Sequence, residues 1–134
     1  MGKTFVLDTN IFSYLLKGSH GIDEKLRDSL KAGNNIVINP ITYYEIKRGL
    51  IAIGATKKLE VFNEFCELFE IGKLTTEILD KSAEIYAGLR NKGKTIEDAD
   101  VFIMAFSICN DYLLVTNNIK HFSDIEELDV ENWV

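Results

Sequence analysis

The sequence predicts an α/β fold, a three-layer α/β/α sandwich built on a parallel, Rossmann-like sheet. Short β-rich runs alternate with longer amphipathic segments along the whole chain. Strands that are separated by helices pair in parallel, and the helices then cover both faces of the sheet. The chain has 134 residues, which is the size of one domain. Residues 1–134 are therefore expected to form a single domain.

The first half of the chain contains two predicted strands. Residues 4–8 (TFVLD) form strand one, and helices are expected over 10–17 and 23–33. Strand two covers 35–39 and runs into Asn39-Pro40, a pair that favours a helix start because Asn caps helices and Pro suits their first position. Helices over 40–54 and 57–65 follow.

The second half adds three predicted strands, over 68–72, 112–116 and 128–133. A long amphipathic helix is expected over 75–93, and a nearly all-apolar helix over 98–110 is expected to lie buried against the sheet. The apolar face of the long helix is predicted to contain Leu79, Ala83, Tyr86 and Leu89. Residues 95–98 (TIED) fit a capping box that opens the buried helix.

Charge and composition exclude several classes of protein. The net charge of −6 argues against binding to nucleic acid by bulk electrostatics. No apolar run approaches the roughly 18 to 20 residues that span a bilayer, and the first residues do not resemble a signal peptide. We therefore expect a cytoplasmic protein that does not enter the membrane. Cys66 and Cys109 are expected to be reduced packing residues, and His20 and His121 are too isolated for a zinc site.

Three acidic residues are predicted to converge at one edge of the sheet. Asp8 closes strand one, Glu45 lies about two turns into the helix after strand two, and Asp100 lies near the start of the buried helix. Ligands bind at the carboxyl ends of the strands in open parallel sheets. Three acids in a partly dry cleft repel one another unless protons or a cation intervene. Oxygen ligands of this kind select Mg²⁺ or Mn²⁺.

Each acid also has a simpler interpretation. Asp8 could only cap the helix that follows it, and Glu45 could be a solvated helix residue. Asp98 suits a capping box better than a metal site. Asp100 is harder to explain as a solvated residue, because it precedes an apolar run on a helix with almost no other charge. Asn117-Asn118 could form a plain turn.

Aromatic and basic residues beside Glu45 allow two interpretations as well. Tyr43 and Tyr44 could stack on bases, although aromatics on an amphipathic helix more often belong to the core. Lys47 and Arg48 could position RNA phosphates, or they could simply form a solvated face.

The sequence resembles the PIN-domain family, and most closely the VapC-type toxins of toxin–antitoxin pairs. The resemblance rests on four stretches between residues 4 and 133: FVLDTNIF, YYEIKRG, DADVFIMAFSI and LLVTNNIKHFSDIEELDVENW. It implies a Rossmann-like fold and a Mg²⁺- or Mn²⁺-dependent endoribonuclease, with Asp8, Glu45 and Asp100 as metal ligands. The fourth acidic position of the family is Asn118 here, which puts a second tightly held metal in doubt.

The same resemblance assigns supporting roles to further residues and implies partners. Thr9, Asn10 and Thr116 match small polar positions that hydrogen-bond the acids or water, and Asp98 is a secondary metal candidate. Hydrolysis is expected to leave a 5′-phosphate and a 3′-hydroxyl, and no histidine lies near enough in the pattern to support an acid–base pair like that of ribonuclease A. The implied partners are a loop of transfer or ribosomal RNA, a second copy of the chain, and a cognate antitoxin. The antitoxin's tail would lie in a groove formed by the first helices and the Glu45 helix.

Other classes that place an aspartate after strand one fit less well. A phosphatase of the haloacid dehalogenase type needs a second aspartate two residues later, where this chain has Asn10. A phospho-accepting receiver domain needs paired acids near the first strand, and they are missing from this sequence. A catalytically silent PIN-fold binding module remains the main alternative, because Asn118 replaces an acid.

Overall fold

The structure is a computed structural model that describes residues 2–134. Five parallel strands form one sheet in the order β3-β2-β1-β4-β5, with helices on both faces. This confirms the predicted α/β three-layer fold. In chain order the elements are β1 (Thr4–Leu7), α1 (Thr9–Lys17), α2 (Ile22–Lys31), β2 (Asn35–Ile38), α3 (Pro40–Ala52), α4 (Thr56–Leu68), β3 (Glu70–Ile71), α5 (Thr76–Asn91), α6 (Asp98–Cys109), β4 (Leu113–Val115), α7 (Ile119–Phe122) and β5 (Val130–Glu131).

Strand β1 lies at the centre of the sheet and sends alternate side chains to the two helical layers. Val6 packs with α5 and α6, whereas Phe5 and Leu7 pack with the layer of α1 to α4. This alternation follows from the two-residue repeat of a strand. Both layers exclude water from β1 after Thr4, so the rest of the strand is apolar and buried until the chain reaches Asp8.

Local sequence signals explain where the helices beside the site begin. The Asp8 carboxylate accepts a hydrogen bond from the backbone N–H of Ile11 at 2.9 Å, which caps α1. Asn39 caps α3 in the same way through Ile41 N–H at 2.7 Å, with Pro40 at the first helical position. Caps of this kind contribute about 1 kcal/mol each. They also fix the direction in which the chain leaves β1 and β2.

The structure corrects the predicted face of α5. The buried residues are Ile78, Ser82, Ile85 and Leu89. Leu79 and Tyr86 are exposed instead, at 43% and 41%, and Ala83 is exposed as well. Two apolar stripes lie side by side on this helix, and periodicity alone could not tell which of them faces the sheet.

The predicted capping box at residues 95–98 is also wrong. Glu97, not Thr95, is the residue that precedes α6, and its side chain makes no capping hydrogen bond. Asp98 and Asp100 occupy the first turn instead, where the helix dipole favours negative charge.

Two of the outer strands are shorter than predicted, and one short helix was not predicted. β3 and β5 each contain only two residues, because both lie at the edges of the sheet and pair on one side only. The four-residue helix α7 begins directly after Asn118. Among residues 2–134, the structure has no helix that is both long and apolar enough to cross a bilayer.

Candidate active site

The ends of three neighbouring strands bring polar side chains to one edge of the sheet. Asp8 follows β1, Asn39 follows β2 and Thr116 follows β4. All three are buried, Asp8 with 7% of its surface exposed and the other two with 0%. Backbone hydrogen bonds fix this edge, because Asp8 N–H donates to the carbonyl of Val115 at 2.9 Å. The central strands therefore end in a buried polar cluster.

The Asp8 carboxyl is buried, and burial makes its charged form less favourable. Burial raises the pKa of Asp8, and the nearby charge of Asp100 raises it further. Hydrogen bonds from the Thr116 hydroxyl and from the backbone N–H of Ile11 act in the opposite direction but do not cancel the effect of burial. Asp8 caps α1, as the simpler interpretation expected, yet a cap alone does not need a charge in a desolvated position.

Glu45 is joined to Asp8 through the next residue in the chain. The Thr9 hydroxyl donates to Glu45 Oε1 at 2.7 Å and lies 3.1 Å from the hydroxyl of the buried Thr42. The Glu45 carboxylate is thereby held across from the start of α1, although it belongs to α3. Arg48 approaches the other oxygen, Oε2, at 3.9 Å.

Asp100 has a histidine partner that the sequence did not predict. His121 Nε2 lies 3.0 Å from Asp100 Oδ2, so one histidine contacts a candidate site residue, although a single histidine does not form an acid–base pair like that of ribonuclease A. A carboxylate can only accept hydrogen bonds, and Nε2 therefore carries the donated hydrogen. The contact joins the start of α6 to α7. The only signal in the sequence was the position of His121 three residues after Asn118.

The remaining small polar residues surround Asp8 to different degrees. Asn118 N–H donates to the Thr116 hydroxyl at 3.1 Å, which connects Asn118 to Asp8 through Thr116. The Asn118 side chain and Asn10 are exposed at the start of α7 and in the first turn of α1. The side-chain amide of Asn117 donates instead to the Tyr14 hydroxyl at 3.3 Å.

Asp98 lies apart from this cluster. It is exposed, and two residues along an α-helix correspond to a rotation of roughly 200°. The carboxylates of Asp98 and Asp100 therefore leave α6 in nearly opposite directions. Asp98 can approach the site only from its outer margin.

The basic and aromatic residues of α3 are divided between the interior and the surface. Lys47 donates to the Tyr43 hydroxyl at 2.7 Å and lies over its ring, and Tyr43 packs against the core. Arg48 is exposed and lies over the exposed ring of Tyr44. Arg48 thus lies on the same side of α3 as Glu45, while Lys47 is held on another side.

The donors at this edge suit a hard cation that keeps much of its water. Asp8, Glu45 and Asp100 offer carboxylate oxygens, and burial together with the charge of Asp100 raises the pKa of Asp8, so a cation would stabilise its charged form. Among residues 2–134, no three His, Cys, Asp or Glu side chains lie close enough together to form a ready-made cage for a metal. Mg²⁺ usually retains several waters and binds through one or two carboxylates, so this donor set fits Mg²⁺ or Mn²⁺ better than zinc.

A shallow groove extends from the acidic cluster along the first helices. Its cavity volume is about 260 Å³. Thr9 and Glu45 lie at one end, and Leu16, Ile46, Leu50 and Ile53 supply apolar surface. Lys17 and Lys58 line the groove as well. This groove lies between α1, the Glu45 helix and the start of α4, and its lining includes Thr9 and Glu45 of the candidate site; α2 does not line it.

A parallel sheet whose strands end in this acidic edge agrees with the class of nucleases to which the comparison with known families points. The PIN domain model matches residues 5–128. The chain belongs to the PIN-domain family. Within the family, it is similar to proteins named VapC.

Three relatives illustrate this similarity. Ribonuclease VapC2 of Rickettsia felis is 32% identical over 136 aligned positions, which cover 96% of this chain and 97% of that protein. The tRNA(fMet)-specific endonuclease VapC of Salmonella typhimurium is 25% identical over 131 positions, with 96% and 97% coverage. The crystal structure of VapBC2 from Rickettsia felis bound to a promoter DNA fragment superimposes with a TM-score of 0.85 at 29% identity, over 98% of this chain and 99% of that one.

Proposed function

We propose that this protein is a Mg²⁺- or Mn²⁺-dependent endoribonuclease and the toxin of a VapBC-type toxin–antitoxin pair. The observation that carries the proposal is the buried Asp8 carboxyl, which faces the charge of Asp100 at the carboxyl edge of the sheet. A buried charge of this kind is costly unless a cation or a proton compensates it. Membership of the PIN-domain family and the names of the VapC relatives support the same activity.

The proposed roles follow from the contacts of each side chain. Asp8, Glu45 and Asp100 would hold the cation, directly or through water. When bound, Mg²⁺ or Mn²⁺ lowers the pKa of a coordinated water and offsets charge that develops on the phosphate. Thr9 holds Glu45 and the Thr116 hydroxyl supports Asp8.

The surrounding residues would orient water and RNA. The side-chain amides of Asn118 and Asn10 are exposed at the margin of the acidic cluster, where an amide oxygen can accept from water. Asp98 would act only through water from the outer margin. Arg48 is the better phosphate contact of the two basic candidates, because Lys47 is already engaged by Tyr43.

The proposed reaction is hydrolysis of an RNA phosphodiester. The oxygen of water bonds to phosphorus in line with the leaving oxygen, and the bond between phosphorus and O3′ breaks. The products are a 5′-phosphate and a 3′-hydroxyl. No covalent enzyme intermediate is needed, which agrees with a site made of carboxylates and amides rather than nucleophiles.

Mapping of RNA 5′ ends tests this proposal. The wild type and Asp8→Asn would be expressed briefly from a tightly controlled promoter, and the purified proteins would be assayed on the same RNA with Mg²⁺, Mn²⁺ or EDTA. Discrete new 5′-phosphate ends with the wild type alone, lost in EDTA, are the expected result. Asp28→Asn is the matched control, because it removes an exposed carboxylate of α2 that has no role in the candidate site and should retain the activity.

The opposite result would favour a catalytically silent binding module. In that case the folded wild type and Asp8→Asn would give the same 5′ ends in the host and in the purified assay. Asn118 in place of an acid is the feature that keeps this alternative open.

The proposed substrate class is a structured loop of transfer or ribosomal RNA. One relative is named a tRNA(fMet)-specific endonuclease, and a short acidic edge flanked by exposed Tyr44 and Arg48 suits bases that are unpaired and accessible. Incubation with total RNA, followed by sequencing of 5′ ends, would separate cleavage of one loop from general degradation.

The proposed protein partner is a cognate antitoxin whose tail occupies the groove beside Glu45. The structural neighbour from Rickettsia felis is a VapBC2 assembly bound to promoter DNA, which supports a partner of the antitoxin class. The groove offers apolar surface together with Lys17 and Lys58, so it suits an apolar segment flanked by acidic residues. An occupant that reached Thr9 and Glu45 would also cover the acidic site, which couples binding to inhibition.

A pair of surface substitutions tests the groove. Ile53 and Leu68 are 74% and 76% exposed, but only Ile53 lines the groove. Ile53→Asp should weaken capture of a peptide that has an apolar segment flanked by acidic residues, and Leu68→Asp should not. Equal capture by both variants would place the antitoxin elsewhere.

Light scattering after gel filtration tests the further proposal that the protein is a homodimer.

A further inference from the structure

Each of the three proposed metal ligands has one oxygen held by a specific donor. Asp8 Oδ1 accepts from the Ile11 backbone at 2.9 Å, and Glu45 Oε1 accepts from the Thr9 hydroxyl at 2.7 Å. Asp100 Oδ2 accepts from His121 Nε2 at 3.0 Å. A donor on one oxygen fixes the plane of a carboxylate and therefore also the direction of its second oxygen. The first two donors belong to α1, but the third comes from a separate part of the chain.

His121 is held in place by the packing of its neighbour. Phe122 is 3% exposed and belongs to the core, and the His121 ring contacts the Phe122 ring edge-on, with centroids 5.0 Å apart. The backbone N–H of His121 donates to the backbone carbonyl of Asn118 at 3.1 Å. The short helix α7 therefore fixes both the imidazole and the residue at the family's fourth acidic position.

We propose that His121 is a positioning residue that orients the Asp100 carboxylate for cation binding. Its Nε2–H occupies Oδ2 and leaves Oδ1 for a cation, whereas the second oxygen of Glu45 lies 3.9 Å from Arg48. Asp100 needs such a partner because its side chain is 32% exposed and would otherwise rotate freely. Partners of this type commonly change metal affinity by about 10-fold to 100-fold when they are removed. The inference rests on the proposed metal-dependent activity.

Direct binding of Mn²⁺ to the full chain in the absence of RNA tests this role. Paramagnetic resonance of free Mn²⁺ would be measured during titration of the wild type, His121→Ala, His121→Gln and His20→Ala. A glutamine can place an amide N–H near the position of Nε2 and should keep the hydrogen bond to Asp100. His20 is the matched control, because it is the other histidine, is also exposed, and contacts Ser19 and Tyr14 instead.

The expected result is a dissociation constant for Mn²⁺ that rises about 10-fold or more in His121→Ala. His121→Gln should stay within about threefold of the wild type, and His20→Ala should not change. Circular dichroism would verify that each variant is folded. In the RNA cleavage assay, excess Mn²⁺ should restore the rate of His121→Ala, while the KM for RNA stays constant.

Two outcomes would overturn the inference in distinguishable ways. If His121→Ala binds Mn²⁺ as tightly as the wild type while Asp100→Asn binds it poorly, the positioning role is wrong and the metal site stands. A higher KM for RNA in His121→Ala would then assign the imidazole to substrate contact. If the wild type binds Mn²⁺ no better than Asp100→Asn, the proposed metal dependence fails together with the positioning role.

Discussion

Replacing Asp8 with asparagine would remove the charge of the candidate site while preserving its shape. Asparagine caps helices about as well as aspartate, so its side-chain oxygen can still accept from Ile11 N–H. The amide cannot hold a cation as a carboxylate does. We therefore expect Asp8→Asn to abolish RNA cleavage and, in EDTA at neutral pH, to melt at a higher temperature than the wild type.

The direction of the stability change follows from the pKa of Asp8. Burial and the charge of Asp100 raise this pKa above its ordinary value of 3.8. Between the unfolded and folded pKa values, the folded protein binds more protons than the unfolded chain. The stability of the wild type therefore falls as the pH rises through that interval. Asp8→Asn does not lose stability in this way. The variant should therefore melt at a higher temperature than the wild type above this pH interval, and the difference should disappear below it.

A second substitution separates the cap from the charge. Asp8→Ala removes the charge and also the cap of α1, which contributes about 1 kcal/mol. The entropy of unfolding is about 2.1 cal/mol/K per residue, or about 280 cal/mol/K for 134 residues. A loss of about 1 kcal/mol thus corresponds to about 4 °C. Asp8→Ala should melt about 4 °C below Asp8→Asn at every pH.

Differential scanning calorimetry from pH 4 to 8 measures both effects, first in EDTA and then with Mg²⁺. A ligand at ten times its dissociation constant stabilises the folded state by about 1.4 kcal/mol, or about 5 °C here. Only the wild type should gain this increment. If Asp8→Asn melts below the wild type in EDTA at pH 7, the buried charge is stabilising and our account of Asp8 is wrong.

Three further substitutions or reactions test other parts of the structure. Thr9→Val removes the donor to Glu45 and should lower the cleavage rate about 10-fold, whereas Thr9→Ser should not; equal rates would show that this hydrogen bond is dispensable. Gly72→Ala places a Cβ 2.2 Å from a buried phenyl ring and should cost about 1 to 3 kcal/mol in urea unfolding. Gly88→Ala, where a Cβ meets nothing within 4 Å, should be neutral or stabilising, and similar losses for both would refute the clash. Burial raises the pKa of the Cys66 thiol to about 11, so Cys66 should resist alkylation at pH 8 until the protein unfolds; rapid labelling of the folded protein would contradict this.

The strand ends of the candidate site were predictable from the sequence. Asp8 follows a continuous apolar run and Asn39-Pro40 combines a cap with a helix-starting proline, so both positions are set by neighbours within a few residues. In a parallel sheet these ends meet at one edge whatever the detailed packing. The apolar helix that follows Asp100 was predictable for a similar reason, because it has no polar face to expose.

The choice between two similar local patterns was not predictable. On α5, the stripe containing Ile78 and Ile85 is buried, and the adjacent stripe containing Leu79 and Tyr86 is exposed. The residue at the N-cap position of α6 is Glu97 rather than Thr95 for a comparable reason, although the helix itself begins at Asp98 as predicted. Alternatives of this kind differ little in local free energy, and contacts with the sheet and with neighbouring helices decide between them.

The sequence by itself determined the fold class, the family and the identity of the acidic residues, because alternating strands and helices and residues at strand ends depend on short-range order. Only the tertiary structure brought His121 to Asp100, 21 residues away, and joined Thr9 to Glu45 across 36 residues. A hydrogen bond between distant residues depends on where packing places both elements. Burial of Phe122 fixes one side of the first contact, and the cap of α1 fixes one side of the second.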